Sequence, residues 1–334
     1  MARADKGARS VVVAVVSLMG VALGTAGCGG GSGPGSGPIP LSELPARAVD
    51  VICNAELACQ AYPDSASCHA ALHANLNQVQ ADVAAGKVKY DASQAGACLD
   101  SASTILTCRL SAARERQSSA CAATFVGTVA EGGPCLVSED CVSAHCNITN
   151  CAAAMCCAGT CVAAQPTGVA VGGACTSTNQ CVDGAFCDFG AMASGTCAAV
   201  RPAGQPCTSS DQCVSGTACL PTSTAAASPR ACTKPPGRGE PCMGIATCDD
   251  RGDFCDPTTM KCAARLGPGS ACDPLAVPCV LYATCDMTTS KCVARGGVGA
   301  PCGAPPAASS CLSGLSCMNG TCAAPTPKPV CPQP

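Results

Sequence analysis

A chain of 334 residues carries 35 cysteines, 36 glycines and 26 prolines, yet only four phenylalanines, three tyrosines and no tryptophan. So few large side chains leave a conventional core thin, and cysteine content above the roughly 8–10% typical of disulfide scaffolds puts crosslinks in its place. A net charge of −3 with scattered Lys and Arg excludes a nucleic-acid partner, and this cysteine usage requires an oxidising compartment.

Residues 1–27 read as an export signal. Arg3, Lys6 and Arg9 precede an apolar run, 11–23, that is shorter than the about 20 residues of a membrane span. The run ends in Leu23, Gly24, Thr25, Ala26, Gly27 and Cys28. Small residues directly before a cysteine resemble the bacterial lipobox, which implies cleavage before Cys28 and its diacylation. Thr25 departs from that pattern, standing where an aliphatic residue is usual, and ordinary secretion is the competing reading. Without Cys28 the cysteine count is even. Residues 28–41 hold the expected lipidated cysteine and a Gly/Ser/Pro tether, which as a flexible coil spans roughly 20 Å. Gly29 beside Cys28 resembles the outer-membrane sorting case of Gram-negative bacteria.

Residues 42–130 change character and read as a small helical cysteine domain. Ser42 is placed to cap a first helix with Pro45 in its first turn. Leu72, Leu76, Val79 and Val83 form a helical stripe that Gly86 is positioned to end. Asp91 and Gln94 resemble a capping box ahead of a further helix, and residues 125–129 read as a short strand. Six cysteines pin this region and leave many connectivities open. The expected set is Cys59–Cys68 across the first inter-helix turn, Cys108–Cys121, and by elimination Cys53–Cys98.

Residues 131–324 repeat with a period near thirty, as expected of an array of small units. First cysteines fall at Cys135, Cys175, Cys207, Cys242, Cys272 and Cys302, each after a glycine lead-in, with Gly173 serving the second module one residue shorter than the rest. The fold expected is a tandem of short β-hairpin modules behind a disulfide-pinned helical domain. Asn319-Gly320 is a strong hairpin signal. Because a lone hairpin is marginal in water, the first two cysteines of a module must staple a loop onto it. The first module is irregular, with seven cysteines: Cys135, Cys141, Cys146, Cys151, Cys156, Cys157 and Cys161. Its vicinal pair resembles knottin-like scaffolds. Cys331, in a Pro-rich tail of residues 325–334, is placed to pair with the odd cysteine of that module, to stay free, or to link two chains.

This module pattern resembles the Dickkopf N-terminal cysteine-rich region and, more loosely, epidermal-growth-factor-type repeats. With the lipobox and the helical domain it looks most like cysteine-rich lipoproteins of Gram-negative bacteria. Likeness to epidermal-growth-factor folds implies first-to-third and second-to-fourth disulfides. Those pairs are Cys175–Cys187 and Cys181–Cys197, Cys207–Cys219 and Cys213–Cys232, Cys242–Cys255 and Cys248–Cys262. They continue with Cys272–Cys285 and Cys279–Cys292, then Cys302–Cys317 and Cys311–Cys322. The receptor antagonism of animal Dickkopf proteins does not transfer with a spacing pattern.

Candidate chemistry is sparse. No Cys-x-x-Cys pair of zinc-site or oxidoreductase type occurs, and His69 with His73 lacks a third ligand. Asp249, Asp250, Asp253 and Asp256 match no EF-hand loop. Arg251-Gly252-Asp253 is a short adhesion-like string, and Asn147 and Asn319 begin glycosylation sequons. Only three histidines exist, His69, His73 and His145, and no nucleophile motif accompanies them. The sequence therefore points to a non-enzymatic envelope or cell-surface lipoprotein needing neither metal nor cofactor. Its rod-like array is expected to bind an extracellular or envelope protein or glycan, or to act as a spacer. A secreted inhibitor or ligand, and a thiol-based metal store, are the alternatives.

Overall fold

The computed structural model describes residues 37–110, 119–149, 156–164, 168–190, 194–223, 228–243, 247–274, 276–303, 311–326 and 329–332. The expected signal segment, Cys28, most of the tether, and Cys151 lie outside them. A helical domain comes first, followed by small antiparallel hairpins pinned by disulfides.

Helix α1 (Leu44–Ala58) starts with proline in its first turn, where a missing N–H costs nothing. Its N-cap is Glu43, which makes no side-chain cap, and Ser42 lies in the turn before it. Asp64 starts α2 (Ser65–Ala71), accepting the Ser67 N–H at 2.7 Å. The stripe from Leu72 to Val83 is broken rather than one helix. Leu72 is extended after α2, and α3 (Asn77–Ala84) begins only beyond Leu76. The Asn75 side chain accepts the Asn77 N–H at 3.2 Å, offering the backbone a turn in place of a helical bond. Leu72, Leu76 and Val79 are buried all the same. Gly86, at φ +76°, turns the chain into strand β1 (Val88–Tyr90). Asp91 caps α4 (Ala92–Ile105) by accepting the Ser93 and Gln94 N–H groups at 2.9 and 3.0 Å. After α5 (Ser119–Thr124), strand β2 (Phe125–Gly127) pairs antiparallel with β1 and sets Tyr90 opposite Phe125.

The disulfides of this domain are Cys53–Cys68, Cys59–Cys108 and Cys98–Cys121. They replace the expected Cys59–Cys68, Cys108–Cys121 and Cys53–Cys98. Packing α2 back on α1 brings Cys53, inside the helix, level with Cys68, 5.8 Å away between Cα atoms. Cys59, the C-cap of α1, meets Cys108 beyond α4 instead, and α5 folds onto α4 to join Cys98 to Cys121. Neighbours in sequence are not the neighbours in space here.

Each module repeats one backbone scheme. Gly132, Gly172, Gly204, Gly239, Gly269 and Gly299 all sit at φ between +79° and +93°, open to glycine at no steric cost. Each donates its N–H to the carbonyl of the module's last cysteine at 2.7–2.8 Å, from Cys161 through Cys322. That cysteine returns a bond to the residue after the glycine. The second module's lead-in is thus Gly172, and it is as long as the others; the reading from Gly173 is corrected. In modules 2 to 6 the third and fourth cysteines stand directly opposite in a hairpin: Cys187 and Cys197, Cys219 and Cys232, Cys255 and Cys262, Cys285 and Cys292, Cys317 and Cys322. They do not bond each other. First bonds third and second bonds fourth, in Cys175–Cys187 and Cys181–Cys197 and likewise through Cys302–Cys317 and Cys311–Cys322. Two disulfides therefore stack on one face of each hairpin and serve as its core. Module 1 keeps the scheme with Cys135–Cys146 and Cys141–Cys161 and spends an extra thiol on Cys156–Cys331.

The array is not a rod. It curls around the helical domain, and Cys156–Cys331 ties its end to its beginning. Module 1 follows directly from β2 and packs Val137 on the helical core. Module 4 pairs with the segment after α4: Leu110 N–H donates to Asp249 O at 2.7 Å and Arg251 N–H to Cys108 O at 2.8 Å. From module 5, Leu281 and Tyr282 join the core, and Tyr282 N–H donates to Gln60 O at 3.2 Å. Module 6 inserts Leu312, 2% exposed, while Tyr62 Oη donates to Ser313 O at 2.7 Å. Modules 2 and 3 span the interval between these docked units.

Candidate binding surface

The sequence candidates for chemistry lie apart from one another, and local bonding claims most of them. Asp253, 3% exposed, is gripped by Arg238, whose Nε and Nη2 donate to its carboxylate at 2.6–3.1 Å. The adhesion-like string does not present its acid: Arg251 is exposed, with its backbone tied to Cys108, but Asp253 is buried against Arg238. Asp250 accepts the Gly252 N–H at 2.8 Å. Asp256 caps the hairpin turn, taking the Thr258 N–H and the Thr259 hydroxyl at 2.9 Å, and the bond from Thr258 above all holds it below the usual carboxylate range. Asp286 repeats the arrangement in module 5. Asp250 and Asp253 thus belong to one turn beside Arg238, and Asp256 and Asp286 to two separate hairpin turns.

In several modules three cysteine sulfurs lie within 4.8 Å of one another, close enough for a metal if they were thiolates. The disulfides account for that closeness, and a bonded sulfur has no thiolate to offer. His69 and His73 do not share a helix face, since α2 ends at Ala71. His69 instead bridges α1 and α2. Its Nε2 meets Asp50 Oδ1 at 2.8 Å, and its Nδ1 meets the Ser65 carbonyl at 2.7 Å. The Ser65 hydroxyl also lies 3.2 Å from Nδ1, so serine, histidine and aspartate stand in line as in a hydrolase. The chemistry differs, because a carbonyl only accepts. A hydrogen on Nδ1 serves the Ser65 carbonyl and leaves that nitrogen no lone pair for the Ser65 hydroxyl, and the imidazolium, with a hydrogen on each nitrogen, serves the carbonyl and Asp50 together. Those contacts, led by Asp50, raise the His69 pKa.

What remains distinctive is the span of modules 2 and 3, and Arg201 rivets it. Its backbone belongs to module 3, donating to Gln212 O at 2.6 Å and accepting the Val214 N–H at 3.0 Å. Its guanidinium lies 5.8 Å from the centre of the Phe186 ring and 3.6 Å from Asp188 in module 2. The linker is four residues, and the Val200 N–H donates back to Gly184 O at 2.8 Å. Modules 2 and 3 are thus held together, and on module 2 Val171 is 58% and Phe189 40% exposed. Sequence reasoning missed Arg201. A basic residue in an otherwise small-residue linker is the signal that could have found it.

The other end of the chain is also fixed. Ile39, 6% exposed, donates its N–H to Ala92 O at 3.0 Å, and Tyr90 Oη donates to Ile39 O at 2.5 Å. Any tether before residue 37 is therefore mounted on the helical domain. Among the described residues no helix is long and apolar enough to cross a membrane.

Set against known proteins, residues 174–223 match the family described as the Dickkopf N-terminal cysteine-rich region. The match covers module 2 and module 3 as far as its hairpin, which is the span between the docked units. No curated protein and no solved structure matches the chain. The chain is a cysteine-rich repeat protein whose disulfides and modules suit extracellular binding.

Proposed function

We propose that this is a non-enzymatic binding protein of the cell envelope, held to a membrane by a lipid on Cys28. The helical domain serves as the mount, and the span of modules 2 and 3 faces the ligand, an extracellular or envelope protein or glycan. The observation that carries this reading is the curled array. A spacer gains reach by extending, whereas here modules 1, 5 and 6 set apolar residues against the helical domain and module 4 pairs its backbone with it. Two modules joined through Arg201 are left as a rigid, displayed surface, and a preorganised surface loses little entropy on binding. The Gly/Ser/Pro tether and the lipobox-like residues ahead of Cys28 support the anchor.

Two experiments test it. Cys28→Ser, followed by fractionation, moves an anchored protein from membrane to soluble fraction; unchanged membrane association sinks the anchor, and wild-type protein in cell-free medium favours the secreted ligand. Photo-crosslinkers placed at Val171 or Phe189 are expected to capture a partner on intact cells, while one at Met287 of module 5 does not. Equal capture at all three positions contradicts a dedicated face.

A further inference from the structure

Position 140 departs from the two modules that follow it. The residue before the second cysteine is Asp140 in module 1, Gln180 in module 2 and Gln212 in module 3, and all three are buried. Each uses one side-chain oxygen identically. Asp140 Oδ2 accepts the Leu136 N–H at 2.7 Å, Gln180 Oε1 that of Thr176 at 2.7 Å, and Gln212 Oε1 that of Thr208 at 2.8 Å. An amide is sufficient for this lock. The acid of module 1 adds only a second oxygen where glutamine has its NH2.

That oxygen, Asp140 Oδ1, meets no N–H or hydroxyl donor; the group hydrogen-bonded to this side chain across the junction is the carboxyl of Asp82 on α3. Both residues are 0% exposed. Asp82 Oδ1 accepts Gln78 Nε2 at 2.9 Å, and Gln78 Oε1 accepts the Cys331 N–H at 2.6 Å. Cys331 is bonded to Cys156. The start of the array, the helical domain and the tail therefore meet at these acids. The charges around them offer no relief: Glu139 is a third acid on the same turn, and the buried Lys87 ammonium after α3 hydrogen-bonds neither.

We propose that Asp82 and Asp140 share one proton, and that this proton latches module 1 onto α3 and closes the ring. Two carboxylates present only acceptors to each other and repel in a dry contact; one proton turns the pair into an O–H···O bond. Burial above all, with Asp82 adding to it, lifts Asp140 above the ordinary carboxyl range, and burial lifts Glu139 as well. A raised carboxyl means that the docked state binds more protons than the open one. The latch is complete in acid, weakens as pH rises past the ordinary carboxyl range, and is lost above the raised value.

The test is hydrogen–deuterium exchange on the full chain with disulfides intact, followed at residues 77–84 and 136–142 and corrected for the intrinsic rate. Wild-type protection is expected to fall several-fold between about pH 5 and about pH 8, the direction that a carboxyl raised in the docked form requires. Asp140→Gln keeps the lock used by modules 2 and 3 and is expected to abolish that dependence. Asp82→Asn is expected to do the same from the other side, so that a folding defect in one variant leaves the other. A pH-independent wild type, or variants that keep the wild-type dependence, overturns the proposal. So does restored protection at the higher pH in millimolar calcium by the wild type alone, since the pair would then be a cation site.

Discussion

The helical domain and the modules solve the same problem by different means. In the helical domain, Leu44, Ile52, Leu72, Val79, Leu99 and Phe125 come together in one buried cluster, and three disulfides fasten its helices. In module 3 the buried cluster is Cys207, Cys213, Cys219 and Cys232 alone. Removing apolar area from water stabilises the first; restricting the unfolded chain stabilises the second. The difference explains why the array needs the helical domain. A hairpin with a core of two disulfides has little apolar surface to spare, and modules 5 and 6 place theirs, Leu281, Tyr282 and Leu312, on the helices.

The contrast breaks most clearly at its extremes. Leu72→Ala removes a 5% exposed side chain from the helical core and is expected to cost about 2–5 kcal/mol, read as a lowered denaturation midpoint of that domain. Module 3 is expected to keep its native disulfides in that variant. The converse, Cys213→Ala with Cys232→Ala, is expected to cost module 3 about 3 kcal/mol and to open it to proteolysis while the helical domain melts as before. If the helical domain fell with it, the two regions would not be separate in energy.

Next come the ties between regions. Arg238→Ala strands the buried Asp253 carboxylate and is expected to cost module 4 about 2 kcal/mol, discounted because Arg238 itself is 59% exposed. Exchange protection of residues 253–264 reads it. Tyr62→Phe deletes the bond to Ser313 and is expected to cost about 1 kcal/mol in module 6 docking. That phenol titrates at about 12, burial being the chief cause, so the tie persists through neutral pH.

The smallest effect is a pH dependence. Because the folded-state pKa of His69 is raised, the helix-bridging imidazolium contributes fully in acid, and the contribution fades as pH rises through that raised value. Thermal melts of wild type and Asp50→Asn are expected to differ in acid and to converge at alkaline pH. A gap that widens upward contradicts the assignment.

The modules were largely legible because two residue types punctuate them for physical reasons. Glycine at Gly132 or Gly269 marks a left-handed turn, and cysteine marks each crosslinked strand. The helices α1 and α4 were legible from Pro45 and Asp91, which act at their ends. The break at Leu72 was not, since a stripe of apolar residues shows what is buried without showing what is helical. The pairing of Cys53 with Cys68 was hidden because it depends on how α2 packs back on α1. The curl of the array was hidden for a similar reason. It rests on Leu312, Tyr62 and Cys331 meeting partners more than two hundred residues away, or 175 in the case of Cys331 and Cys156. An extended rod was the natural reading of thirty-residue periodicity, and only the tertiary contacts overturn it.

The ring closure is the claim on which the binding span and the acid latch both depend, and peptide mapping of the native protein under non-reducing conditions addresses it directly. A crosslinked peptide pair holding Cys156 and Cys331 within one chain, alongside Cys53–Cys68, is the predicted result. A free Cys331, or Cys331 found joining two chains, would mean that the array is open and would return it to the extended form.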